Sequence, residues 1–300
     1  MAVFPLMIPM PSDLLFPPQA PIDDASLERL AEFVASHARL LVLTGAGVST
    51  ASGIPGYRDA DGDRRGRAPI QGPEFRASDA VRRRYWARSM VGWPLLAAAR
   101  PNTGHRALAA LQRAGRVASV ITQNVDGLHG AAGNSNVLEL HGNIHRVRCL
   151  ECGTEQSRAQ LQEWLLAANP ALAGASARPA PDGDAHLEPD SLVHFRTPSC
   201  AACGGMLQPD VVFFGDAVPA VRTQEASLRV DGADALLVLG SSLMVHSGYR
   251  LITRAVNRGI PVAAVNRGKT RADALLAFKI EESTEHFLPW LAERLSADML

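Results

Sequence analysis

Lysine is nearly missing from this chain: among 300 residues only Lys269 and Lys279 occur, against 28 arginines. With alanine and glycine abundant, the imbalance fits the codon bias of a GC-rich genome better than any avoidance of modifiable amines. Aromatic residues are also few, at 5 %, although 47 % hydrophobic residues still supply a sizeable core. The length suits one large domain or two ordinary ones. No apolar run approaches the ~18 residues needed to cross a bilayer. Stretches such as Leu40–Leu43 and Val211–Phe214 are far shorter, so a soluble protein with no membrane partner is expected. Net charge is absent too, because 30 Lys+Arg offset 30 Asp+Glu. That leaves no basic field for wrapping nucleic acid. The Pro-rich first 22 residues carry one charge, Asp13, and no basic segment ahead of an apolar core, which argues against a secretory signal. Residues 1–24 read as a poorly structured extension of a cytoplasmic protein.

Only four cysteines are present, and they fall in two pairs, Cys149-Leu-Glu-Cys152 and Cys200-Ala-Ala-Cys203, with 47 residues between them. Two C-x2-C knuckles supply four thiolates, the donor set of a closed tetrahedral Zn²⁺ site of the ribbon type. Two disulfides are the alternative, and a reducing compartment opposes them. With all four positions filled by protein, such an ion is structural.

Apolar periodicity organises the remainder. Leu27, Leu30, Ala31 and Val34 recur at helical spacing, and the chain then enters the apolar run Arg39–Leu43, read as a buried strand. Further strands are expected over Val117–Thr122, Leu236–Gly240 and Pro261–Asn266, with helices around Thr103–Arg113 and Tyr249–Arg258. Strands alternating with helices predict a parallel, doubly wound α/β sheet, in which ligands sit at the carboxyl ends of the strands. The turns at those ends are polar or glycine-containing: Thr44-Gly-Ala-Gly-Val-Ser-Thr-Ala-Ser-Gly-Ile-Pro55, Gln123-Asn-Val-Asp126, Gly240-Ser-Ser242 and Asn266-Arg-Gly268. The first is a strand–glycine-loop junction where a following helix should start and hold phosphate. It departs from the dinucleotide fingerprint, since Thr50 stands where the third glycine belongs. So many polar groups exceed what hydride transfer at a nicotinamide requires and point instead to chemistry at the ribose. His141 follows a short apolar strand and precedes Gly142, which marks it as a general base working near neutral pH. Asp61 and Asp63 read as a solvated loop. Ser157-Arg-Ala-Gln160 reads as a capping box.

Taken in order, Gly45-Ala-Gly-Val-Ser, Ser52-Gly-Ile-Pro55, Thr122-Gln-Asn-Val-Asp126, His141-Gly-Asn143, the two cysteine pairs, Pro209-Asp-Val-Val-Phe-Phe-Gly-Asp216 and Gly240-Ser-Ser242 resemble the sirtuin family of NAD-dependent protein lysine deacylases. Arg84-Tyr-Trp-Ala-Arg-Ser-Met-Val-Gly-Trp93 is similar to its class II branch. The resemblance implies a Rossmann-like NAD-binding domain from residues 25–144 and 206–300. Residues 57–100 would form its cofactor loop and helical module, and 145–205 an inserted zinc-binding domain. It implies NAD contacts from Gly45, Ala46, Gly47, Ser49, Ile54, Pro55, Tyr57, Arg58, Gln123, Asn124, Val125 and Asp126. Further contacts would come from Gly240, Ser241, Ser242, Asn266, Arg267, Gly268 and Thr284. Asn124 and Asp126 would act at the nicotinamide end and His141 as the base on the ribose hydroxyls. Val211, Val212, Phe213, Phe214 and Val245 would receive an acyl-lysine peptide by strand addition. The acyl carbonyl oxygen would displace nicotinamide from the ribose, giving free lysine peptide and O-acyl-ADP-ribose. Two departures stand out: Gly56 replaces the family's usual Asp in the mobile loop, and Ser247 replaces a frequent Pro. Mono-ADP-ribosyl transfer, removal of longer or lipoyl groups, and NAD sensing without turnover remain alternatives.

Overall fold

Buried residues alternate between the two faces of one central strand, and that alternation sets the architecture. The structure, a computed structural model, describes residues 24–64, 68–175 and 192–297. The extension read over residues 1–24 lies outside these save for Asp24, as do Arg65, Arg67 and residues 176–191. The elements are α1 (Asp24–Ala35), β1 (Leu40–Thr44), α2 (Gly72–Ala77), α3 (Asp79–Ala98), α4 (Thr103–Arg113), β2 (Ser119–Thr122), α5 (Leu128–Ala131), β3 (Val137–Glu139), β4 (Gly142–Cys149) and β5 (Glu155–Ser157). They continue with α6 (Arg158–Ala168), β6 (Leu207–Val211), α7 (Ala220–Gly232), β7 (Ala235–Leu239), α8 (His246–Asn257), β8 (Val262–Val265), β9 (Phe278–Ile280) and α9 (Thr284–Ala297).

Six parallel strands form the main sheet in the order β3-β2-β1-β7-β8-β9. Every residue of β1 is buried. Because side chains alternate along a strand, Leu40 and Val42 pack with α1, α4 and α9, while Leu41 and Leu43 pack with α7 and α8. Each fully buried leucine contributes about 2 kcal/mol, so this strand anchors both helical layers. Strand order reverses between β1 and β7. That is where a doubly wound sheet opens a crevice at its carboxyl edge.

Where a helix was expected after β1, the chain instead makes a tight 3₁₀ turn, Ala46–Ser52, closed by Gly53 in the left-handed region. Backbone contact is the reason: an added Cβ on Gly47 would lie 2.8 Å from the Gly240 Cα, and Gly240 itself holds φ 57°. Only glycine fits such an approach.

The second sheet is antiparallel, ordered β5-β4-β6. Its pairing takes in Gly142 and Val211, so it reaches beyond the span 145–205 assigned to the insert from sequence. The capping box at Ser157 is formed, its Oγ accepting from the Gln160 amide at 3.1 Å. Ion pairs tie the two sheets: Arg146 bonds Glu139 at 2.8 Å and Asp210 at 3.1 Å, and Arg222 of α7 bonds Asp210 at 2.9 Å.

Behind the 3₁₀ turn the core holds two histidines with ring centroids 4.9 Å apart. His129 bonds Thr44 Oγ1 at 2.9 Å, and the same hydroxyl donates to Thr122 Oγ1 at 2.8 Å. Burial pushes the His105 pKa down to about 3 and lowers that of His129. Both are neutral when folded, whereas unfolding frees them to take up protons near pH 6.5. Stability is therefore expected to fall as pH drops from about 6.5 toward 3, by roughly 1.4 kcal/mol per pH unit for each histidine still neutral in the folded state. His105→Gln should flatten that slope in urea unfolding measured from pH 7 to pH 5; an unchanged slope would contradict the assignment.

Candidate active site and metal centre

The carboxyl ends of β1, β2, β7 and β8 open into a cavity of about 530 Å³ that continues between the two sheets. This size is typical of small-molecule sites. Of the residues expected at the cofactor, Gly45, Ala46, Gly47, Tyr57, Arg58, Gln123, Asn124, Val125, Gly240, Ser241, Ser242, Asn266, Arg267 and Thr284 line it, together with His141. Val211, Val212, Phe213, Phe214 and Val245 line it too. Five expected residues, Ser49, Ile54, Pro55, Asp126 and Gly268, do not line it. Asp126 is the informative case, because its carboxylate is already engaged. Oδ2 accepts from Ser49 Oγ at 2.7 Å and Oδ1 from the Leu128 amide at 2.9 Å. Ser49 Oγ in turn accepts from Asn124 Nδ2 at 3.0 Å, and that amide also donates to the Gly45 carbonyl at 3.0 Å. Asp126 and Ser49 thus orient Asn124 from outside the cavity.

His141 is held at both ring nitrogens. Nδ1 lies 2.9 Å from the Gln123 carbonyl oxygen, and Nε2 lies 2.8 Å from Ser247 Oγ. A carbonyl can only accept, so the proton sits on Nδ1 and the Ser247 hydroxyl donates to Nε2. Burial lowers the His141 pKa below its ordinary 6.5, with the Gln123 bond opposing and the Arg222 charge assisting. The imidazole is a neutral base with its lone pair at the cavity wall. Gln123 is itself fixed, its Nε2 donating to Ser241 Oγ at 2.7 Å.

At the far end of the nucleotide side, the buried hydroxyls of Ser283 and Thr284 find no partner among the described residues. Both line the cavity. Unpaired buried hydroxyls beside polar backbone turns fit a ligand rich in hydroxyl and amine groups, as a dinucleotide is. The other limb is apolar, walled by Ile70, Tyr85, Ile144, Val211 and Phe213. Phe213 stacks on Phe75 with centroids 5.0 Å apart, and the Val212 amide donates to the His141 carbonyl at 2.9 Å. This limb therefore begins beside His141. Sequence reasoning did not place Ile70, Tyr85, Glu282 or Ser283 at the cavity: Tyr85 stands in the class II-like stretch and Ile70 just ahead of it without a site role, and Glu282 and Ser283 offer no local motif.

The four cysteines converge. Their sulfur atoms all lie within 4.8 Å of one another, with Cys149 to Cys203 at 3.5 Å and Cys152 to Cys200 at 3.7 Å. Four thiolates at ~2.3 Å from one Zn²⁺ stand roughly 3.8 Å apart in a tetrahedron, so the cluster fits one structural ion.

A match to the Sir2 family covers residues 45–247. The chain is 52 % identical over 256 residues to NAD-dependent protein deacetylase 3 of Pseudomonas syringae pv. tomato, spanning 85 % of this chain and 91 % of that one. It is 49 % identical over 272 residues to NAD-dependent protein deacetylase 2 of Bradyrhizobium diazoefficiens, spanning 91 % and 98 %. Among solved structures, one described as "Structural Basis for the Mechanism and Regulation of Sir2 Enzymes" superposes with a TM-score of 0.72 at 31 % identity, covering 92 % of this chain and 99 % of that one. Another, "Sir2-p53 peptide-NAD+", superposes with a TM-score of 0.70 at 26 % identity, covering 90 % and 99 %. The chain belongs to the Sir2 family.

Chelation or Cys200→Ser is expected to reduce bound zinc from one ion per chain to none and to lower the melting temperature by ~10 °C or more, since Cys149 and Cys200 sit inside the smaller core. Metal content by mass spectrometry and a thermal melt check this; a metal-free variant with an unshifted melt would contradict it.

Proposed function

We propose that the protein is an NAD-dependent protein lysine deacylase that moves the acyl group of a lysine side chain to ADP-ribose and releases nicotinamide. The observation that carries the reading is the neutral His141, its Nε2 at the cavity wall between a polar limb and an apolar one. Bound NAD supplies the ribose that accepts the acyl group. Around it, the backbone of Gly45–Gly47 and the side chains of Arg58, Gln123, Ser241, Asn266 and Thr284 hold the dinucleotide, and Asn124, oriented by Ser49 and Asp126, faces the nicotinamide end. Val211–Phe214 and Val245 flank the acyl-lysine segment, with β6 as the edge strand of its sheet. The apolar limb excludes water from the reacting carbonyl, and His141 takes the proton of the ribose hydroxyl. In this reading residues 25–144 with 206–300 bind the nucleotide, and residues 145–205 with their zinc brace the second sheet, whose Ile144 and Val211 line the cavity. Reduced thiolate ligands suit a cytoplasmic protein. Among the described residues no helix is long and apolar enough to cross a membrane.

The apolar residues on one side of the cavity, Ile70, Tyr85, Ile144, Val211 and Phe213, favour a second substrate range, lysines carrying acyl chains longer than acetyl, lipoyl included. His141→Ala should cut formation of deacylated peptide and acyl-ADP-ribose by about 10²-fold or more while zinc content and melting temperature stay put. In the unmodified protein the rate should fall as pH drops through a midpoint below 6.5, because burial delays protonation of His141. Mass spectrometry of an acetyl, long-acyl and lipoyl peptide panel reads both outcomes. Undiminished turnover by the variant, or ADP-ribosylated peptide as the main product, would sink the reading.

A further inference from the structure

We infer that Ser247 is a proton relay between the ribose hydroxyl of the co-substrate and His141, a role that rests on the deacylase reading above. The argument begins with tautomer. His141 Nδ1 is committed to the Gln123 carbonyl, so Nε2 is the only basic nitrogen left, and the Ser247 hydroxyl occupies it at 2.8 Å. Nothing can reach that lone pair without displacing Ser247 or passing a proton through it. Displacement is disfavoured by placement: Ser247 belongs to the first turn of α8, and its neighbour Gly248 packs against the Gln123 side chain, where an added Cβ would lie 2.5 Å from Oε1. The backbone that carries Ser247 is therefore held against the same residue that fixes the histidine, and its hydroxyl is held by the His141 bond itself. Its oxygen accepts no hydrogen bond from the described residues, and Ser247 lines the cavity. One side of the oxygen faces His141 while its unused lone pairs are available to a donor entering the cavity.

The proton count closes. As the ribose hydroxyl attacks the acyl carbon, its proton moves to Ser247 Oγ, and the serine's own proton moves to His141 Nε2. A C–O bond forms at the acyl carbon while its π bond to the lysine nitrogen opens and that electron pair moves onto the nitrogen; the serine ends neutral, and the imidazole becomes imidazolium with both nitrogens protonated. That proton is then available to the departing lysine amine. Groups that bear on the imidazolium are few: the Gln123 carbonyl stabilises it, while the Arg222 cation opposes it and is itself paired with Asp210 at 2.9 Å. With burial also against it, the imidazolium is short-lived, as a turning-over base requires.

The test uses the full-length protein with Ser247→Ala and Ser247→Thr, the latter keeping a hydroxyl. Without NAD, the His141 ring followed by NMR should titrate at higher pH in S247A than in the unmodified chain, because the donor that favoured neutral Nε2 is gone, while S247T should titrate as the unmodified chain does. With NAD and acyl peptide, single-turnover formation of acyl-ADP-ribose should slow by about tenfold in S247A and recover in S247T. Its rate in H₂O–D₂O mixtures should change from a curved dependence, two protons in flight, to a linear one. An S247A variant that is as fast or faster, or keeps the curved dependence, overturns the relay. If His141→Ala also turns over at full rate, the deacylase assignment of the base fails with it, whereas a dead His141→Ala beside a fast S247A removes the relay alone.

Discussion

Backbone rests directly on backbone where the turn after β1 meets the turn after β7, and most of the site's geometry follows from that contact. The Gly47 amide donates to the Gly240 carbonyl at 2.8 Å, and neither residue has room for a Cβ. Closing this gap draws the 3₁₀ turn over the sheet's switch point and leaves its amides beside the crevice where anions are held. It also presents Ser241 to Gln123. From there a chain of hydrogen bonds runs Ser241–Gln123–His141–Ser247, beginning in the β7–α8 connection and ending in the first turn of α8. The base is thus located by the same turn that floors the nucleotide cavity. A small backbone fit controls both binding and chemistry.

The second sheet supplies the opposite wall and a different kind of constraint. Its strands are pinned near β3 and α7 by the Glu139–Arg146–Asp210–Arg222 chain of ion pairs. Partly buried pairs of this kind lose much of their attraction to desolvation, yet a linked row fixes direction, and here it brings Val211–Phe213 beside His141. The four cysteines staple the outer end of the same sheet. Metal and ion pairs together hold a small unit whose own core is modest, so that the apolar limb keeps its shape.

Much of this was legible before folding. Strand ends announce themselves because a buried apolar run must stop at a polar turn, and the turns after Leu43, Thr122, Leu239 and Val265 do meet at one cavity. The cysteine pairs were equally readable, since two matched knuckles have few other uses. Other features are invisible in one dimension. The tight turn after β1 depends on Gly240, nearly two hundred residues away in sequence, and no local pattern distinguishes it from a helix start. Asp126 looks like a cavity residue by its place in Gln123-Asn-Val-Asp126, but Ser49 and the Leu128 amide claim its carboxylate. Ser247 stands out in the sequence only as a departure from a frequent Pro, until the fold sets it on the His141 ring. Long-range pairing, not residue type, assigns these roles.

The central claim is that turns scattered along the chain form one nucleotide site floored by the Gly47–Gly240 contact. Hydrogen exchange followed by mass spectrometry with and without NAD tests it most directly. The account predicts that NAD slows exchange together at residues 45–50, 123–126, 240–243 and 266–268, and leaves the exposed face of α7 unchanged. Protection confined to the cysteine-bearing sheet, or absent from the 45–50 and 240–243 turns, would contradict it.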